Sequence, residues 1–459
     1  MTGTLQRLPR RNARYTPLDA DGPLPVDMLR DMPAIRRDPL AYLERTVARY
    51  GDLVAFPLPR TPVLLVNTPD GARRVLQDNH RGYGKRTVQY AALGLVTGAG
   101  LLTADGELWR RHRRVAQPAF HHGRLDAVAA AASRAGRVLR ERWDAEGTLD
   151  VDRATLQTMI EVVGSTLFAA DLSGSGERLV EAVDAALQVV VRRARSPLPA
   201  VLPRRLPTPS ARRLRAATAT LDAACADLVA HRRAAGLGEA DADVLALLLR
   251  AADGLDGLDD REVRDELVTL VIAGHETVAS CLTWTLHLLA DHPGVQDRLA
   301  ADLAEHPDGG PWTRAVVDEA LRLYPPAWIV TRRALEAGVV AGVDVPAGTL
   351  VLVSPWLLHR RAADWPEPER FDPSRFLERR PPAGDYVPFG AGPRLCIGRD
   401  VALVQSVRIL AELLRDRRVV RPAGAPAVRV DALVTLRPRG GLPLAIVPST
   451  PGAPRPATC

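Results

Sequence analysis

The sequence predicts a mainly α fold with small β-sheets, and three observations predict it. Roughly three hundred residues after Asn67 show helical periodicity, with apolar residues recurring three and four apart. Short apolar runs of strand character lie towards the two ends, as "DLVAF" and "PVLLVN" from Asp52 to Asn67, and "ALVTLRP" and "LPLAIVP" from Ala432 to Pro448. A third stretch, from Asp259 to His292-Pro293, has Gly274 as its one glycine or proline interruption, which predicts a helix about 50 Å long. It is apolar around much of its circumference from Leu267 to Ala273, so it should cross the middle of a large core. No repeat of roughly 20 to 50 residues is present, which removes solenoids and propellers.

Taken in order, "MTGTLQRLPRRNARYTPLDA" is basic but has no apolar core after the basic residues, so it is not a signal peptide. Residues 1–20 are expected to be a flexible segment, 21–449 a single domain and 450–459 a flexible tail. Asp38 with Pro39 after it starts a helix that runs to about Tyr50. "DLVAF" and "PVLLVN" then form two strands joined by a proline-containing turn. The segment Arg192 to Arg215 carries five prolines among apolar residues and reads as a loop between two helices rather than a domain linker. Asp259 and Glu262 resemble a capping box for the long helix. A further helix runs from Pro311 to about Leu323, stopped by Tyr324-Pro325-Pro326. The strands flanking Arg439-Gly440-Gly441 read as a β-hairpin.

The net charge of +7 comes almost wholly from arginine, since Lys85 is the only lysine. Alanine and proline are also abundant, which is the mark of a GC-rich genome. Nothing interleaves aromatics with the arginine runs as a base-stacking surface would, so no nucleic-acid partner is expected. The cysteines, Cys225, Cys281, Cys396 and Cys459, form no CxxC pair and read as free thiols of a reducing cytoplasm. No apolar run approaches the ~18 residues that span a bilayer, so a cytoplasmic protein without a membrane anchor is expected.

One cysteine stands in a chemically loaded place. "YVPFGAGPRLCIGRDVALVQ", from Tyr386, sets Cys396 in a glycine-rich loop just before an apolar helical pattern. The unpaired N–H groups and positive end of that helix would hold the sulfur as an anion. Gly390, Gly392 and Gly398 allow close approach of a flat ligand, and Arg394 offers a cation to a carboxylate on it. This arrangement suits a thiolate ligand to haem iron. A lone cysteine beside a glycine turn is more often inert. Here the pattern F-x-x-G-x-R-x-C-x-G, through Phe389, Gly392, Arg394, Cys396 and Gly398, makes that reading the weaker one.

On these residues the sequence resembles the cytochrome P450 family of haem-thiolate monooxygenases, and is similar to bacterial members that oxidise terpenoids and other natural products. The resemblance implies the family fold, one large helical domain with its long helix over the haem, and heme b (iron protoporphyrin IX) ligated by Cys396. It extends over nearly the whole chain. Glu319 and Arg322 match the family's E-x-x-R pair, and "PERF" from Pro368 to Phe371, with Arg370, matches the motif that locks it. Trp109 and Arg113 match a W-x-x-x-R element that reaches a haem propionate, and Arg332 falls where another propionate-binding arginine is expected, with Arg333 adjacent. Taken alone each is weak: an E-x-x-R pair is usually a surface pair worth ~0.2–0.5 kcal/mol.

"AGHETV", from Ala273, lies midway along the long helix, with Ala273 and Thr277 on one face. Alone, Thr277 is explained by a bond back to a carbonyl one turn earlier. The resemblance instead makes Glu276 and Thr277 the acid and alcohol that deliver protons to dioxygen. Val278 departs from the second Thr or Ser common there. The acid–alcohol pair favours dioxygen with two electrons from a partner, and no flavin or iron–sulfur domain is fused, so a separate ferredoxin or flavodoxin with its reductase is implied. Substrate-facing segments carry Val191, Leu198, Ile272, Ala273, Trp328, Ile329 and Val434, which suits a lipophilic small molecule such as a terpenoid. The resemblance also implies a monomer. Two other classes remain: a haem-thiolate protein that senses or rearranges without oxygenating, and a cysteine nucleophile enzyme without haem.

Overall fold

A computed structural model describes residue 12 and residues 14–449, apart from 59–60, 171, 173–175, 195–207, 239–240, 242, 255–256 and 379–380. Of the two expected flexible ends, residues 1–11, 13 and 450–459 lie outside the described residues, as does Leu198; residues 12 and 14–20 are described, with Asn12, Leu18 and Ala20 buried and the Asn12 amide donating to Ala20 O and Ala55 O. The chain opens with α1 (Pro25–Arg37) and α2 (Pro39–Tyr50), strands β1 (Leu53–Phe56) and β2 (Val63–Val66), the short α3 (Pro69–Arg73) and β3 (Tyr83–Gly84). Next come α4 (Val88–Thr97), α5 (Gly106–Ala116), α6 (Leu125–Glu146), β4 (Thr148–Asp150), α7 (Val151–Leu167), α8 (Gly176–Ala194), α9 (Pro209–Ala235), α10 (Val244–Asp253) and α11 (Asp260–Asp291). Then α12 (Pro293–Glu305) and α13 (Pro311–Leu323) lead to β5 (Val330–Ala334), β6 (Gly338–Val340), β7 (Val343–Val345), β8 (Leu350–Val353), α14 (Pro355–Leu358) and α15 (Arg375–Glu378). The last elements are α16 (Arg399–Leu414), β9 (Arg417–Val420), β10 (Val430–Ala432), β11 (Leu436–Pro438) and β12 (Pro443–Pro448).

The mainly helical reading holds, and the start signals behave as their chemistry requires. Asp38 accepts from the Ala41 N–H at 3.0 Å, and Asp259 with Glu262 closes the capping box of α11 at 2.7 and 3.1 Å. α11 spans 32 residues and is long and apolar enough to cross a membrane, but 83 % of its 18-residue apolar stretch is buried inside the protein, so it is a core helix. One side of α11, with Ala279, Leu282, Leu286 and Leu289, packs in the same core as α6, α7, α13 and α16. Its N-terminal half, with Leu267, Val271 and Ile272, packs with α8, α9 and α10. The proline-rich segment is shorter than its composition suggests: α8 continues to Ala194, and Pro209 is the first residue of α9, capped by Thr208.

The C-terminal hairpin expectation is corrected. β11 pairs back with β10 across a turn at 433–435, while β12 joins β4 and β9 in a separate three-stranded sheet. Gly440 and Gly441, both at φ +87°, turn the chain away instead of folding it on itself. A side chain at Gly441 would collide with Asp150, whose carboxylate accepts the Leu442 N–H at 2.9 Å. The larger sheet runs β1-β2-β8-β5-β3, so β5 carries Arg332 in its interior between two partners.

Candidate active site

The loop before α16 is built around backbone groups. The Cys396 N–H donates to Phe389 O at 3.0 Å, closing the loop. Gly390 (φ +73°) and Gly392 (φ +69°) occupy the left-handed region, and a Cβ on Gly392 would lie 2.4 Å from Leu76 O. Gly398 differs from that expectation: at φ −90° it needs no glycine conformation, and its contribution is an N–H aimed at the Cys396 sulfur. Phe389 is half-buried against the core that holds α16.

Cys396 is surrounded by protein, yet its side chain has open surface, which places the sulfur at an internal space. Burial pushes the thiol's pKa up, against the Gly398 N–H and the guanidinium charges of Arg113 and Arg399. The helix N-terminus alone therefore does not hold the sulfur as an anion, as the sequence suggested. In the chain by itself burial wins, and a metal bound there would displace the proton and leave the thiolate. Cys225 and Cys281 are buried thiols pushed up to about 12, inert by comparison.

A second opening lies on α11. From Asp265 to Leu289 every residue is buried except Ala273, Gly274 and Thr277, which share one face. The Thr277 hydroxyl donates to Ala273 O at 2.7 Å. Glu276 points elsewhere, into a buried network described below.

Four cations meet on the third side. Arg113 donates to Leu395 O at 3.0 Å, and Arg394 lies over the Trp109 ring at 5.0 Å while pairing with Asp105. Arg332 donates to the Tyr90 hydroxyl at 3.0 Å. Arg332 and Arg333 differ in their partners: Arg333 turns to the carbonyls of Arg86 and Gly348, at 2.8 and 2.9 Å. Lys85, the sole lysine, is the fourth. It is buried, donates to Leu102 O at 2.9 Å, and its pKa falls well below the usual lysine value through burial and the charges of Arg332, Arg394 and Arg113. Asp105 is the carboxylate that opposes them. Arg394 Nη1 is buried without a hydrogen-bond partner. A cluster so short of negative charge fits a dianion such as the two haem propionates. With an open sulfur inside the fold and a small-residue face on α11, the residues fit a haem.

Glu319 and Arg322, both fully buried, form a two-point pair at 2.7 and 2.8 Å. Arg322 also donates to the carbonyls of His359, Pro368 and Arg370 at 2.7–3.1 Å. The Arg370 side chain does not join them. It is exposed and pairs with Glu367 at 3.0 Å, so this expectation is corrected. Arg375 stands in its place, its Nε 3.4 Å from Glu319 Oε1. Two Arg-Phe pairs, 370–371 and 375–376, lie within seven residues, and only folding distinguishes them.

Among the residues expected to face substrate, Ala273, Trp328, Ile329 and Val434 keep part of their surface open, whereas Val191 is buried and Ile272 is buried in side-chain packing. Trp328 is fixed by its Nε1–H to Leu433 O at 2.9 Å. Of the surface arginines near the cysteine loop, Arg399 and Arg408 are paired with Asp400 and Asp308, and Arg111 turns to Glu262. Arg110, which pairs with Glu107, and Arg114 stay exposed.

Comparison with known proteins agrees with this geometry. The family model described as Cytochrome P450 matches residues 21–441. The cyclooctat-9-en-7-ol 5-monooxygenase of Streptomyces melanosporofaciens is 35 % identical over 84 % of this chain and 86 % of its own. The pentalenene oxygenase of Streptomyces avermitilis is 33 % identical over 91 % of this chain and 94 % of its own. A crystal structure of CYP175A1 from Thermus thermophilus superposes with a TM-score of 0.76 at 34 % identity, covering 92 % of this chain and 98 % of that one. The fold and its site are those of a haem-thiolate enzyme, and the chain belongs to the cytochrome P450 family. It is a cytochrome P450 monooxygenase, which uses O2, a lipophilic substrate and a redox partner.

Proposed function

We propose that the chain inserts one oxygen atom of O2 into a terpenoid or a similar lipophilic secondary metabolite, with heme b held through Cys396. The observation that carries the reading is the open surface of Cys396 although protein surrounds it, faced by the Gly398 N–H and the Arg113 charge. Two relatives are named for cyclooctat-9-en-7-ol and pentalenene, and the half-open apolar residues Ala273, Trp328, Ile329 and Val434 suit ligands of that class. When bound, the haem-thiolate supplies the reduction and cleavage of dioxygen.

The chain's own residues then have distinct tasks. Arg113, Arg332, Arg394 and Lys85 neutralise the propionates, with Trp109 stacked on Arg394. Thr277 holds a proton at Oγ1, and to deliver it the hydroxyl exchanges its bond to Ala273 O for one to the reacting oxygen. Glu276, once it leaves its present partners, relays the next proton: its carboxylate takes one up from solvent water and passes it on to Thr277 Oγ1. Electrons come from a separate acidic ferredoxin or flavodoxin with its reductase, steered to exposed Arg110 and Arg114 in a cytoplasmic, monomeric protein. Thr277→Ala tests this reading. Haem and substrate binding should persist while product per NADH falls and peroxide rises, within the ~10²–10⁴-fold range of acid–base catalysis. Unchanged product yield per NADH would refute it.

A further inference from the structure

The turn between β10 and β11 carries Leu433 and Val434, half-open at its tip, and on the reading above it faces the substrate. Two strands of three residues do not fix their own position, so side chains must. Three of the ties are neutral: Ser280 and Trp284 of α11 both donate to Leu436 O, at 2.7 and 3.0 Å, and Trp328 donates to Leu433 O.

The charged tie is Arg437. Its Nε and Nη2 grip both oxygens of Asp152 on α7, at 2.8 and 2.7 Å, and its Nη1 reaches Glu276 Oε1 at 3.3 Å. Glu276 Oε2 accepts from the Thr435 hydroxyl at 2.8 Å. Asp152, Glu276 and Thr435 are all buried, so two carboxylates depend on one guanidinium. The grip is asymmetric. Asp152 has two short, parallel bonds and Glu276 has one long one, so Glu276 can turn away while Asp152 still holds Arg437 and, through it, the tip.

We propose that Arg437 is a specificity-positioning residue: anchored on Asp152, it fixes the substrate-facing β10–β11 tip against α11 and keeps the Glu276 carboxylate in reserve beside it. The inference rests on the haem-thiolate reading. Pocket shape is thereby tied to the same side chain that restrains the acid.

The test uses the haem-loaded full chain and two azoles read by the shift of the haem absorption band. Clotrimazole is bulky and apolar and must press on the tip, whereas imidazole is too small to reach it. Arg437→Gln should weaken clotrimazole on the order of tenfold and leave imidazole unchanged. Asp152→Asn should do the same, and the double variant should be no worse than either single one, since both cut one tie. Arg437→Lys should restore part of the clotrimazole affinity. Where Arg437→Gln does not fold, Thr435→Val, which loses only the hydroxyl bond, should show the same selective weakening at about threefold. Equal weakening of both azoles, unchanged clotrimazole affinity, or multiplying effects of Arg437→Gln and Asp152→Asn would overturn the proposal. Failure of the unsubstituted protein to bind any azole would instead overturn the haem reading, and this inference with it.

Discussion

Two buried charged regions of the same enzyme are built on opposite principles. Around Glu276, Arg437 and Asp152, opposite charges meet, and every named carboxylate oxygen has a donor. Around Lys85, the like charges of Arg113, Arg332 and Arg394 meet, Asp105 paired with Arg394 is the opposing carboxylate, and one guanidinium nitrogen has no hydrogen-bond partner. The first kind of cluster is complete in itself and fixes the protein's own parts. The second is incomplete, because the cost of burying charge without counter-charge is met only when a ligand brings it. Buried charge marks a ligand site where a charged group is left without a partner.

The largest effect should come from breaking a complete pair. Arg322→Leu leaves the buried Glu319 carboxylate with only the Asp372 N–H at 3.0 Å and Arg375 at 3.4 Å, and removal of one partner of such a pair costs about 3–5 kcal/mol. Urea denaturation should show that loss, or no folded protein at all. A loss below about 1 kcal/mol, the surface-pair range, would remove the distinction between complete and incomplete clusters.

The incomplete cluster should respond differently. Arg113→Gln should leave the haem-free chain's denaturation midpoint nearly unchanged but weaken haem retention roughly 10- to 100-fold, as loss of a charge-assisted bond of about 1.5–3 kcal/mol requires. Arg110→Gln, on an exposed side chain, should leave haem retention alone. Equal retention in the two variants would break the comparison.

How much of this was legible in sequence follows from how local each feature is. The Cys396 loop, the α11 capping box and the helix from Pro311 depend on residues a few positions apart, and the structure places them where the spacing indicated. Lys85, Arg375 and Arg437 were not legible, because their partners lie up to 285 positions away and no spacing rule joins them. Arg370 was misread for the same reason, since a nearby Arg-Phe pair repeats the motif. The hairpin was misread because Gly440-Gly441 signals a turn without saying which strands it joins.

A third buried pair is sensitive to pH. His112 Nδ1 of α5 lies 2.5 Å from Glu266 Oε1 of α11, and both side chains are fully buried. Against burial, which lowers it, Glu266 and Glu262 raise the His112 pKa above its ordinary value. A raised folded pKa stabilises fully below the unfolded value of about 6.5 and is lost as pH rises through the folded value. The Tm difference between the unsubstituted protein and His112→Gln should therefore be larger at about pH 6 than at about pH 9. A difference that grows with pH would reverse the sign of this account.

The smallest effect is expected at the surface. Arg110→Glu with Arg114→Glu should slow electron transfer from an acidic ferredoxin and flatten its salt dependence, since steering is screened over ~8–10 Å at ordinary salt. Arg212→Glu with Arg213→Glu, on exposed residues of α9, should not. Equal slowing in both would misplace the docking surface.

The central claim is that the open Cys396 sulfur holds haem iron. The most direct measurement is the absorption spectrum of the reduced, carbon monoxide-bound protein beside that of Cys396→Ala. Thiolate ligation should give the long-wavelength band in the unsubstituted protein, and the variant should lose it. The same band in Cys396→Ala, or none in the unsubstituted haem-loaded protein, would contradict that claim.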